Sequence, residues 1–426
     1  MKDKSSGHSR RSFLRLGLGL AAASPLSLSG GCGGGSSGQQ NPPPQPRSDA
    51  KVAIVRCNTY DPQALENSVG QAFTSLGGIG ALVNGKTVTV KINLTSDGTY
   101  HDQFGRPAVE SYITHGATAM ALARLLLAAG AYKVRFVDSV PFLLPLDQVL
   151  TPVTGWDVPG MLALGNVEFE NTRNLGTGSQ YARLNVSGTG NLFSYFQLNH
   201  CYQDTDVFIS LAKLKQHLTA GVTLSMKNVF GSTPNALYGA DAGSEDAISW
   251  RGPLHGNGTA DWVGINPPGA KTNTPPVDAG SRIPRIVADI NAARPVHLGI
   301  IDGIMSMSGG EGPWAPNAAP TSPGILIAGL NAVSTDAVGV AVMGYANPRA
   351  NRGTPPFAGC DNHLLLAEQN GIGTADLSQI DVRGLTISQV LYPYPQALLR
   401  PMHAKCPRQG TREMGARQAP TQARRG

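Results

Sequence analysis

The sequence predicts an α/β fold, a mixed, largely parallel sheet flanked by helices, on three observations. Short β-branched apolar runs alternate with segments whose apolar residues recur at helical spacing. The run at 87–94, the helical segment after 114 and the run at 133–137 make one strand–helix–strand unit. Polar residues collect at the carboxyl ends of the runs, where open parallel sheets hold their ligands. An arrangement of two lobes sharing a cleft stays open.

Residues 51–56 are the first expected strand, and 62–83 have helical composition broken by glycine pairs. The second strand, TVTVKINL at 87–94, ends in Lys91 and Asn93, which alternation puts on one side. Thr114-His115 opens a helix with Ala117, Met120, Ala121, Leu125 and Ala128 on one face, closed by Gly130. The third strand ends in Asp138-Ser139, and one more is expected near 167–170.

The unit at 207–231, VFISLAKLKQHLTAGVTLSMKNVFG, is the richest in chemistry. Val207 to Leu211 read as a buried strand. Thr219 is the expected N-cap of a helix carrying Val222, Met226 and Val229, and Gly231 is its expected stop. Lys213, Lys215 and His217 alternate at the strand-to-helix junction, where free N–H groups and the helix dipole favour an anion. Lys227 and Asn228 follow. Residues 232–284 form a long aperiodic loop or insertion, and 285–293 are helical. The strand at 296–302 ends in Asp302, and a glycine- and proline-rich loop with Glu311 and Trp314 follows. A strand at 324–330 leads to a helix opened by Thr335-Asp336, and 364–368 are helical.

The ends differ from the body. The formal charge is +6, but residues 1–50 carry +4 and residues 401–426 carry +5, leaving the body at −3. No nucleic-acid-binding face follows from this balance. SRRSFLR at 9–15 resembles the twin-arginine export signal, and the apolar stretch after it is too short and small-residue-rich to span a membrane. LSGGC at 28–32 resembles a lipoprotein cleavage box with one extra residue, and a Gly/Ser then Gln/Pro tether follows. The expected organisation is a signal at 1–31, a tether at 32–50, the α/β domain at 51–400 and a disordered basic tail at 401–426. The protein is then exported by the twin-arginine machinery of a bacterium, to the periplasm or to the cell envelope. Membrane contact comes only through the signal or a lipid on Cys32.

No cofactor is assigned. The five cysteines include no C-x-x-C pair, which argues against a clustered-cysteine iron–sulfur or zinc site; Cys57 and Cys201 read as buried thiols. GALVNGKT at 80–87 fits the phosphate-loop pattern by letter but precedes a strand instead of following one. The glycine motifs at 33–38 lie in the tether.

Several segments together resemble one family. VTVKINL, Thr114-His115 with LLLAAGAYKVRFVDS, the 209–231 segment, IIDGIMSMSGGEGP and ILIAGLNAVSTDAV match, in order, the motifs of the family called domain of unknown function 362. The resemblance covers about 51–375. Gly116, Ala212 and Asn331-Ala332 depart from the family's Pro, Pro and Asp-Pro, and the ferredoxin module of many relatives is absent. The resemblance implies no established reaction.

From the residues, the leading expectation is an enzyme acting on an anionic small molecule or an anionic cofactor. Lys91, Asn93, Lys215, Lys227 and Asn228 hold the anion. His217, His115 and Lys213 do acid–base or nucleophilic work, and Asp138, Asp302 and Asp336 support them. A non-catalytic, surface-tethered binding protein for an anionic solute is the first alternative. A metal-dependent enzyme drawing on His115, His217, Asp138, Asp302 and Glu311 is the second, without a short metal-ligand spacing to favour it.

Overall fold

The computed structural model describes residues 49–395, except 97 and 257. The export segment, Cys32, the tether and the basic tail lie outside the described residues. Eight strands build one sheet: β1 (Lys51–Arg56), β2 (Thr87–Lys91), β3 (Lys133–Asp138), β4 (Val167–Asn171), β5 (Val207–Lys213), β6 (Leu298–Gly303), β7 (Ile325–Gly329) and β8 (Asp381–Gly384). Their order across the sheet is β8-β1-β7-β6-β5-β2-β3-β4. Every pairing is parallel except the two made by β7, which runs against β1 and β6. The described residues thus form one body on a single mixed sheet rather than two lobes.

Strand alternation divides the core. Val88, Val90, Val134, Phe136, Ile209 and Leu211 face the helices α1 (Pro62–Ser75) and α2 (Gly116–Ala128). Val52, Ile54, Phe208, Ile301 and Ile327 face the opposite layer. That layer contains α3 (Leu224–Val229), α4 (Ala279–Ala293), α5 (Ala332–Val342) and α6 (His363–Gln369). Residues buried on both faces make the central strands continuous apolar runs, as parallel sheets require.

Two expectations shift and one holds. The helix expected from Thr219 begins at Leu224, because Gln216–His217 pairs with Gly221–Val222 in a tight antiparallel ladder first. Gly221 makes that turn with a φ of +76°. The helix expected from 285 begins at Ala279, inside the supposed loop, and contains Pro284. Proline removes the N–H that would bond the Gly280 carbonyl; the Asp361 N–H bonds that carbonyl instead, at 2.7 Å. The segment 80–87 is a short helical turn, Gly80–Val83, leading into β2, as expected.

Candidate functional site

The sheet brings four lysines to its carboxyl rim and buries them. Relative exposure is 1% for Lys91, 0% for Lys213 and Lys215, and 9% for Lys227. A buried ammonium costs several kcal/mol unless its lost water is replaced, so the partners of each lysine define its role.

Lys91 is paired. Its Nζ lies 2.8 Å from Asp138 Oδ1 and donates to the Ile92 carbonyl at 2.7 Å. Asp138 is fixed by the Leu94 and Ser139 N–H groups. Asn228 on α3 reaches back, donating from Nδ2 to the Lys91 carbonyl and to Ser210 Oγ. Gly231 lets the chain cross this pair: a Cβ there would stand 2.9 Å from Lys91 Nζ.

Lys213 is also paired, on the α1/α2 side. Register places it directly beside Asp302 on β6. Its Nζ meets Asp302 Oδ2 at 3.3 Å, Tyr60 OH at 3.0 Å and the Val109 carbonyl at 3.2 Å. The Tyr60 hydroxyl donates to Asp302 Oδ1, and Thr118 donates to Oδ2. His115 stacks on Tyr60 with ring centroids 3.6 Å apart. Its Nδ1 accepts the Ala117 N–H and caps α2. Burial pushes His115 down to about 4, so it is neutral at physiological pH.

The other two lysines have no carboxylate within ion-pairing distance among the described residues. Lys215 donates to the backbone carbonyls of Tyr112 and Glu311. Lys227 Nζ sits 4.3 Å from the centroid of the Phe230 ring. Burial drives Lys227 down to about 7. Glu311 works against that fall, while Arg251 and Lys91 add to it. His217 accepts the Thr219 N–H at Nδ1, 3.2 Å away, and stands 3.7 Å from Glu311 Oε2. Burial and the nearby Lys227 push its pKa well down, and with Nδ1 accepting the Thr219 N–H the neutral ring carries its proton on Nε2. His255 and His363 feel the same lysine, and burial lowers both to about 3.

The remaining expected residues divide. Asn93 lies at the end of β2 with its Oδ1 buried and without a hydrogen-bond partner among the described residues. Asp336 is not at the rim. Its two oxygens accept the Ser225 and Met226 N–H groups and cap α3 from below, each at 2.8 Å. Sequence reasoning missed Tyr60, Arg251 and His255. Arg251 donates to the Thr233, Ser139 and Gly231 carbonyls, and so packs the long loop against the Lys91–Asp138 pair. Nothing in the periodicity of residues 232–284 marks it.

An α/β sheet with a lysine-lined carboxyl rim is therefore the class of protein that fold and site define. A family model described as domain of unknown function (DUF362) matches residues 88–341, more than half of the chain, and the chain belongs to that family. A thylakoid-associated protein of Synechocystis is 30% identical over 198 residues, 44% of this chain and 51% of the relative. The chain thus spans about half the length of the curated relative it matches. Among solved structures, a Thermotoga maritima protein aligns at a TM-score of 0.32 and 13% identity, over 62% of this chain and 55% of the other. The lactate racemase apoprotein of Thermoanaerobacterium thermosaccharolyticum aligns at 0.32 and 12%, over 66% and 56%.

Proposed function

We propose that the protein is an enzyme acting on an anionic small molecule or anionic cofactor at the Lys227–His217 corner of the rim. One observation carries the reading. Lys227 is nine-tenths buried, has no carboxylate in ion-pairing reach among the described residues, and titrates near neutral pH. Such an amine is cationic enough to attract an anion and basic enough to exchange a proton with it. His217, neutral and proton-bearing at Nε2, supplies the donor, while Lys215 and Arg251 add positive potential. Lys91–Asp138 and Lys213–Asp302 form the rigid frame behind it, with Asn93 and Asn228 at its edge. The same reading keeps the chain exported on its twin-arginine segment, either released to the periplasm or anchored by a lipid on Cys32; loss of membrane fractionation in Cys32→Ala supports the anchor, and unchanged fractionation rejects it.

Thermal-shift titration with phosphate, sulfate and small carboxylates at pH 6.5 and 8.5 tests the binding half. Wild type is expected to be stabilised more at the lower pH, and Lys227→Gln to lose the difference; equal shifts in both proteins overturn the site. Incubation with a small-molecule extract, followed by mass spectrometry, tests the catalytic half. Consumption of an anion that disappears in Lys227→Gln and His217→Gln supports an enzyme. Capture without consumption instead favours the surface-tethered solute-binding protein.

A further inference from the structure

A second cluster, built from other residues than the lysines, lies at β4, the edge strand of the sheet. Glu170 belongs to β4, and His200 and Cys201 are neighbours in a single helical turn, His200–Tyr202. Asn199 opens that turn by accepting the Cys201 N–H. One donor atom from each of Glu170, His200 and Cys201 lies within 4.8 Å of the others. His200 Nε2 is 3.7 Å from Cys201 Sγ and 3.8 Å from Glu170 Oε1. A tetrahedral ion with bonds of about 2.0–2.3 Å holds its donors roughly 3.3–3.6 Å apart. The two His200 pairs stand close to that spacing, and the third pair lies within 4.8 Å.

Two independent features show that the cluster is built. The first is an outer carboxylate. His200 Nδ1 is 3.0 Å from Asp204 Oδ2, and with the ring proton held there the Nε2 lone pair faces Glu170 and Cys201. The second is a glycine cradle. A Cβ on Gly176, whose φ is +57°, would stand 1.7 Å from Glu170 Oε1, and one on Gly178 would stand 2.4 Å from the His200 ring. Thr177 between them donates its N–H to Glu170 Oε1 at 2.7 Å and sets its hydroxyl 3.1 Å from His200 Nε2. Thr177, His200 and Asp204 line a surface cleft of about 350 Å³, which opens the His200 side of the cluster to solvent.

We infer that Glu170, His200 and Cys201 bind a divalent transition metal, zinc by preference, with Asp204 orienting His200. A thiolate and an imidazole select a borderline-soft ion over magnesium or calcium. Binding exchanges the thiol proton for a sulfur–metal bond and releases that proton to solvent. This site is distinct from the lysine rim and does not rest on the function proposed there.

The test uses full-length protein stripped with EDTA, with zinc alone as the probe, in competition with a chromophoric chelator. One zinc per chain is expected. Asp204→Asn is expected to bind it about 10- to 100-fold more weakly, and His200→Gln at least as weakly. Cobalt should give a thiolate-to-metal charge-transfer band in wild type that Cys201→Ser lacks. Exposed His101→Gln serves as the control and should bind as wild type. Circular dichroism confirms that His200→Gln, altered at a partly exposed side chain, is folded. Substoichiometric zinc in wild type, or equal affinity across these variants, overturns the proposal.

Discussion

Water solvates an exposed ammonium on three sides, and a buried one must find those contacts in protein. The rim does this unequally, and the inequality is testable. Asp302→Asn leaves Lys213 buried without its counter-charge and is expected to cost about 3–5 kcal/mol in urea unfolding. The double variant Asp302→Asn/Lys213→Met should lose less, because no stranded charge remains; an equal or greater loss sinks the assignment of this pair. Lys227 gives a pH signature. Its pKa falls from 10.5 to about 7 on folding, so between these values the unfolded chain binds more protons than the folded one. Stability therefore rises with pH across that window. Lys227→Met is expected to stabilise the protein most at and below neutral pH, by a few kcal/mol, with the gain vanishing near pH 10. Denaturation at pH 6, 8 and 10 measures it. The residue types at the rim were legible in the sequence, since Lys91, Lys213, Lys215 and Lys227 all sit at strand or helix ends. Which of them pair with carboxylates was not, because Asp138 and Asp302 arrive from other strands and Tyr60 from the loop before α1.

At the scale of elements, α3 depends on a carboxylate that its own sequence does not supply. Thr223 stands at its N-cap but its hydroxyl donates to the Gln216 carbonyl and caps no helix N–H, and Asp336 from α5 accepts the two N–H groups instead. Asp336→Ala is expected to cost about 2 kcal/mol and to speed amide exchange at Ser225 and Met226 before other helices loosen. Uniform exchange across the protein would contradict this. Gly231→Ala should cost about 1–3 kcal/mol by pressing a methyl group onto the buried Lys91–Asp138 pair; a neutral outcome in thermal unfolding would mean that the pair yields. Strand–helix alternation was readable because β-branched runs and helical spacing are local signals. The start of α3 was not, since a two-residue ladder displaced it. The start of α4 was hidden by Pro284, whose cost is offset by Asp361, a residue just before the start of α6. Asn331 shows the opposite case: it replaces the family's Asp and still caps α5, accepting the Val333 and Ser334 N–H groups.

At the scale of the whole molecule, one reversed strand organises half the sheet. β7 runs antiparallel, so α5 after it returns towards the carboxyl rim, and Tyr345 just beyond that helix accepts a hydrogen bond from Gln216 Nε2 at 2.6 Å. The sequence marked the class of sheet but not this reversal, because strand direction is set by connections and not by composition. It also missed β8, a four-residue edge strand, Asp-Val-Arg-Gly, with one apolar residue. Removing residues 381–390 would uncover the edge of β1, and the expected result is a lower melting temperature with concentration-dependent light scattering. An unchanged melting curve would show that β8 is dispensable.

That edge has a consequence for how the chain is made. Val52 pairs with Gly329, and Lys51 with Asp381. β1, the first of the described strands, thus stays unpaired until β7 is made, while β2 to β6 are synthesised. A chain cut short before residue 325 offers β1 neither of its neighbours, so seating β1 requires that translation has passed β7.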